Sequence, residues 1–224
     1  MITKDEFWKV MAGYTAGIMP FPFIFYVLAV VLVAWLSRQP GRLPTLLMKG
    51  YLSLAFAWNA IVFYLLLGSG MAGGSHGNYI FATIFIVVSA LFAIDGFRGR
   101  MHFAIPPSGF QRYVTHILLV LVFCYPILGM LYGHGADSLM LPGAFPCPTV
   151  ALALLVLTTA LPEVDRLAYG LLLFCAIPFT PFFQIARYGV YEDLILFVSG
   201  LYALILLLVS RNPGANGRAE RIAP

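Results

Sequence analysis

The sequence predicts an all-α integral membrane protein. It has seven transmembrane helices, N-terminus out and C-terminus in, preceded by an amphipathic helix lying in the interface. Three observations carry this expectation. Of the 224 residues, 61% are hydrophobic and 10% charged, against roughly 45–50% and about 25% in soluble chains. So few charges cannot cover a water-soluble surface. The charges also stand at the ends of long uncharged runs, and the Lys and Arg residues divide unevenly between the two sides that those runs define.

The first segment, residues 1–17, is not a span. Thr3-Lys4-Asp5-Glu6 has the pattern of a capping box. Phe7, Val10, Met11, Tyr14 and Ile18 then recur on one helical face, as expected of a helix lying in the membrane interface. Acidic residues precede the apolar part and no small-residue cleavage pattern follows, so a signal peptide is not expected.

Residues 18–211 form the seven-helix domain. No charge falls between Lys9 and Arg38, which gives a span at Phe21–Ser37. None falls in the 45 residues between Lys49 and Asp95, enough for two spans and a turn. These spans are Thr45–Leu67 and Asn78–Phe97, joined by a Gly-rich turn at residues 68–77. The fourth span is Phe110–Tyr132. The fifth, Pro148–Leu161, is short. The sixth is Leu167–Ile185 and the seventh Tyr191–Ser210. The runs lack the polar–apolar alternation that a membrane barrel requires. Residues 212–224 are polar and contain Pro213, Gly214 and Gly217, which predicts a disordered cytoplasmic tail.

With the N-terminus outside, ten Lys and Arg residues lie inside: Arg38, Arg42, Lys49, Arg98, Arg100, Arg112, Arg166, Arg211, Arg218 and Arg221. Three lie outside: Lys4, Lys9 and Arg187. This is the positive-inside bias of a cell inner-membrane protein. The net charge of +4 forms no basic stripe, so nucleic acid is not an expected partner. The expected partners are the bilayer, anionic lipids at the inner face near Phe97-Arg98-Gly99-Arg100, and a homo-oligomer or membrane complex.

Candidate chemistry gathers on the outer side. Cys147 stands between Pro146 and Pro148 at the start of the fifth span. A helix N-terminus there favours negative charge and a thiolate. His134 lies between two glycines, Met130 is one turn before it, and His76 falls in an outer turn. Cys147, His134, Met130 and His76 are the soft donor types for copper(I), or with carboxylate help for zinc. No standard metal spacing is present. The plainer reading makes Pro-Cys-Pro a rigid helix start and the histidines loop residues.

Other polar groups lie within the spans. Pro178 and Pro181 flank Thr180 in the sixth, with Gln184 beyond, which suggests a broken helix lining a pathway. Asn59 reads as a polar contact between helices. Asp95 is expected to pair with Arg98 at the inner interface, and His116 to meet Asp95 or a backbone carbonyl. Glu192 and Asp193 open the seventh span, where they suit the helix dipole. Cys124 and Cys175 fall in apolar runs, and three cysteines make no disulfide framework.

Tyr125-Pro126, Gly133-His134, Gly143 and Pro146-Cys147-Pro148-Thr149 are similar to the signature of an uncharacterised bacterial family. So are Phe7, Tyr14, Pro20 and the stretch Gly189-Val190-Tyr191-Glu192-Asp193. Its members are multi-pass membrane proteins defined by a domain of unknown function. The resemblance implies a helical membrane fold and brings no activity with it.

Several classes can be set aside. Lys4, Lys9 and Lys49 are the only lysines, so the last span offers no Schiff base for retinal. Nucleophile-elbow, P-loop, dinucleotide and His-Glu-x-x-His motifs are absent. Three readings remain. The first is a small transporter or binding protein for a soft metal ion or small solute, with an outward His/Cys site. The alternative is a structural or accessory subunit acting through helix and lipid contacts. The third is a thiol-dependent enzyme using Cys147, which lacks a second outer cysteine.

Overall fold

The computed structural model describes residues 3–67, 75–106 and 108–211. Among these residues the chain is helical, with one isolated bridge between Pro142 and Phe145. The first helix, α1 (Lys4–Ile18), opens with the expected capping box. The Thr3 N–H donates to Glu6 Oε2 at 2.7 Å, and the Glu6 N–H donates to Thr3 Oγ1. The Thr3 N–H, together with the Thr3 hydroxyl that also donates to Glu6 Oε2, holds the Glu6 carboxyl below its ordinary range. The face with Phe7, Met11, Tyr14 and Ile18 is buried.

The long helices follow the charge-free runs. They are α2 (Phe21–Arg38), α3 (Arg42–Trp58) with a π-helical extension over Asn59–Leu67, and α4 (Ser75–Arg98). Next come α5 (Phe110–Phe123) and α6 (Tyr125–Leu131), which meet at a 59° bend. Pro126 lies in the first turn of α6, and Tyr26 donates to the Phe123 carbonyl at the break. Then come α7 (Pro146–Thr158), α8 (Arg166–Phe174) with a π-helical extension over Cys175–Tyr188, and α9 (Leu194–Arg211).

Five segments are long and apolar enough to cross a membrane: Phe21–Arg38, Arg42–Leu67, His76–Arg98, Arg166–Tyr188 and Tyr191–Arg211. The bent pair makes six. Each buries under half of its residues, and exposed faces such as Phe23, Ile24, Val27, Leu28 and Val31 are apolar. Soluble monomers do not expose contiguous apolar surface on this scale.

The expected fifth span differs. The segment read as Pro148–Leu161 is α7, with 13 residues. At about 1.5 Å per residue it is roughly 20 Å long, against the roughly 30 Å of a bilayer's hydrocarbon. All of its residues except Cys147 are buried, and α3, α5, α8 and α9 pack around it. A helix covered on every side shows no polar stripe, which is why its sequence resembles a lipid-facing run. The Gly-rich turn lies mostly outside the described residues, as does the tail.

Packing between α3 and α4 joins an aromatic cluster, Phe56 with Phe85 and Phe92, to two polar contacts. Ser53 and Ser89 exchange hydroxyl-to-carbonyl bonds of 3.0 and 2.8 Å. Nearer the other end, Lys49 Nζ lies 2.6 Å from Asp95 Oδ2, both groups buried. Asp95 therefore pairs across the helix interface and not with Arg98. Lys49 approaches from the packed neighbour, whereas Arg98 points to the exposed side. His116 bonds the Arg112 carbonyl at 2.8 Å, the second of its two expected partners.

Removing one charge leaves the other buried and uncompensated, at a cost of about 3–5 kcal/mol. Lys49→Met and Asp95→Asn should each lower the melting temperature of the detergent-purified protein sharply. The double variant removes both charges and keeps an oxygen for the Met101 N–H, so it should recover most of the loss. A double variant melting no higher than the worse single would show that the pair itself, not the uncompensated charge, sets the cost.

Candidate functional site

The site is assembled around the start of α7. Phe145 caps the helix in an extended conformation, and Pro146 and Pro148 fall in its first turn, where a missing N–H costs nothing. The helix begins two residues earlier than Pro148, so Cys147 lies inside the first turn. The loop before it is tied on every side. Gly143 N donates to Thr149 Oγ1 at 2.7 Å, and Thr149 Oγ1 donates to the Phe145 carbonyl. Asn59 Nδ2 reaches the Gly143 carbonyl at 2.8 Å and the Ala55 carbonyl at 2.7 Å. Tyr14 of α1 donates to the Ala144 carbonyl at 2.7 Å, and Trp58 Nε1 donates to Tyr14 Oη. Asn59 thus bridges a helix and a loop, at the residue where α3 widens into π turns.

Two adjacent carboxylates face this helix start. Glu192 and Asp193 belong to a 3-10 turn, Tyr191–Asp193, that leads into α9, and both are buried. Asp193 Oδ1 accepts from Tyr125 Oη at 2.9 Å, its Oδ2 has no conventional hydrogen-bond partner, and the Cys147 thiol lies against this carboxylate. Glu192 Oε1 lies 3.0 Å from His134 Nδ1, and Oε2 is unpartnered. The indole of Trp8 lies against His134 with ring centroids 3.8 Å apart and the planes tilted by 36°. Trp8 Nε1 donates to the Tyr188 carbonyl, and Phe7 stacks on the Tyr188 ring. These contacts hold α1 across the cluster.

Two hollows flank α1. On its exposed side lies an open depression of about 480 Å³, whose walls include Lys4, Trp8, Lys9, His134, Asp137 and Tyr191. On its buried side lies a cavity of about 30 Å³. Phe7, Met11, Met140 and Cys147 line it, with Phe63, Tyr64, Phe145, Pro146, Phe179 and Gln184. Three of these groups are sulfurs: one thiol and two thioethers.

The sequence-predicted residues separate into groups. Cys147 and Gln184 share the small cavity, while His134 lines the outer depression. Met130 is largely exposed and His76 is exposed at the start of α4, and neither lines either hollow. Thr180 is buried and donates to the Cys175 carbonyl at 3.2 Å within the proline-containing π stretch. Asp95 belongs to the Lys49 pair. Among the described residues, no three His, Cys, Asp or Glu are arranged to hold a metal ion.

Sequence reasoning missed Met11, Met140, Trp8 and Tyr125, and read Glu192 and Asp193 only as dipole partners. The available signal was two adjacent carboxylates at the head of a 21-residue apolar segment in a chain with nine acidic residues. Adjacent buried charges need a reason beyond a helix dipole.

The fold and site define a helical protein with apolar helices of membrane-spanning length and a buried polar cluster at one end. Residues 4–216 match the family of unknown function DUF6064, and the chain belongs to that family. No curated protein and no solved structure matches it.

The loop geometry gives a sharp test. Gly143 has φ +93°, and a Cβ there would lie 2.4 Å from Tyr51 Oη and 2.7 Å from Phe25 Cβ. Gly143→Ala should therefore lose most of the folded yield in detergent. Tyr51 Oη is buried without a partner, so Tyr51→Phe should leave the melting temperature unchanged or raise it. A marked destabilisation by Tyr51→Phe would mean that the hydroxyl is engaged.

Proposed function

We propose that the protein is a seven-span membrane protein, N-out and C-in, that binds and transports a soft monovalent cation such as copper(I). The short buried α7 counts as the fifth crossing in this topology, and the ten-to-three Lys/Arg bias supports it. The cell inner membrane is the compartment that this bias fits.

One observation carries the reading: Cys147, Met11 and Met140 line one small cavity. Thiolate and thioether are soft donors that select copper(I) over harder ions. The surrounding Phe63, Phe145 and Phe179 present aromatic surface that tolerates a desolvated cation. Volume narrows the cargo. About 30 Å³ holds one water-sized particle, which suits a bare ion and excludes an organic solute in this conformation. Zinc would want three or four His, Cys, Asp or Glu ligands, and no such group of three is present among the described residues.

The neighbouring carboxylate supplies the proton chemistry. When the Cys147 sulfur binds the cation it gives up its proton, and the Asp193 carboxylate against it takes that proton. The site thus exchanges one cation for one proton at the thiol with no redox step. His134 and Glu192 stand at the outer entrance, with Trp8 covering the ring. Since Phe7 and Met11 wall the cavity while Trp8 walls the depression, a swing of α1 would open one hollow to the other.

Elemental analysis of the purified full chain, loaded with copper(I) under reductant, tests this. About one copper per chain is expected. Cys147→Ser should lower retention at least tenfold, and Met11→Leu with Met140→Leu should weaken it. His134→Ala, which lies outside the cavity, should retain the ion. Equal retention by Cys147→Ser would remove the reading. Loss on His134→Ala alone would move the ion to the outer cluster. Separately, a reporter fused after Pro224 should be active only in the cytoplasm, and periplasmic activity would overturn the odd number of crossings.

A further inference from the structure

At the other end of α3 a third hollow, of about 300 Å³, opens between the start of α3 and the end of α4. Its floor is rigid. The Lys49 ammonium is cancelled by Asp95 at 2.6 Å. The Met101 N–H donates to the same carboxylate, and the Phe103 N–H donates to Thr45 Oγ1. These bonds fold the segment after α4 back over α3.

The rim is different. Arg42 and Arg98 both line the hollow and are exposed. Among the described residues neither forms an ion pair with a carboxylate. Gly41 caps α3 without a side-chain bond, so the first N–H groups of the helix also face this end. Two uncancelled guanidiniums beside a helix start match an anion with several oxygens, and a phosphate fits their forked donors best.

The surroundings decide which phosphate. Phe97 lines the same hollow and is 93% exposed. Leu43, Leu46 and Leu47 expose apolar surface along the adjoining turns of α3. A free phosphate would leave that surface unused, whereas acyl chains would cover it.

We propose that this hollow is a headgroup site for an anionic phospholipid. Arg42 and Arg98 hold the phosphate, and the chains lie along Leu43, Leu46 and Phe97. The site is separate from the sulfur cavity, so either can fail without the other.

Native mass spectrometry of the full chain, with equal amounts of dioleoylphosphatidylglycerol and dioleoylphosphatidylcholine, reads the site directly. The wild type should retain one phosphatidylglycerol at least tenfold in preference. Arg42→Gln/Arg98→Gln should lose that preference, and Arg98→Gln alone should weaken it. Arg211→Gln, at the end of another helix, should keep it. Both rim side chains are exposed, so the melting temperature without lipid should not change. Equal retention of the two lipids, an undiminished preference in the double variant, or an equal loss in Arg211→Gln would each overturn the proposal. Displacement of the lipid by millimolar inorganic phosphate would assign the hollow to free phosphate and overturn it as well.

Discussion

Every departure from α-helical geometry in this chain frees backbone groups that must find partners where water is scarce. That requirement organises the polar residues. Asn59 stands where α3 widens and bonds two carbonyls, one of them in the loop before α7. Tyr26 meets the carbonyl at the α5–α6 break, and Thr180 meets one in the second π stretch. The irregular segments also converge. The first π stretch brings Phe63 and Tyr64 to the small cavity, and the second brings Phe179 and Gln184. The break carries Tyr125 to Asp193, which sits in the 3-10 turn. Regular helix everywhere would have left no such meeting point, consistent with the tendency of π turns to mark functional sites.

The two ends of the bundle handle charge in opposite ways. At the Arg-rich end one ammonium and one carboxylate cancel, and the Met101 N–H further satisfies the carboxylate. That pair is closed, and only the exposed Arg42 and Arg98 beside it keep uncancelled charge. At the α1 end two carboxylates meet one imidazole, one phenol and one thiol, and an oxygen on each remains without a conventional partner. Buried unpartnered oxygen is costly in a packed interior. It persists on both neighbours, beside a cavity, and that marks this cluster out from the cancelled pair.

The long apolar helices were legible because charge is excluded from them, and Asp95 and Lys49 stand near enough to the ends to leave the pattern intact. The capping box at Thr3 and the buried face of α1 were legible because they are local. What the sequence hid is set by distance along the chain. Tyr14 and Ala144 are 130 residues apart, and Trp8 and Tyr188 are 180. Asp95 has an arginine one turn away and a lysine on the neighbouring helix, and spacing favours the wrong one. Met140 and Met11 look like ordinary apolar residues until the fold sets them beside Cys147. The apolar run of α7 carries no mark that distinguishes burial in protein from exposure to lipid.

The placement of α1 ties these features to one element. Its capping box and basic residues keep one face polar, while Phe7, Met11 and Tyr14 enter the bundle. The same helix contributes a thioether to the cavity, an indole over His134, and a hydroxyl to the loop that holds Cys147. Movement of α1 would therefore change the donor set, uncover the imidazole and loosen the loop together. One amphipathic helix with contacts at 4-residue and 3-residue spacing provides the coupling through its own rigidity.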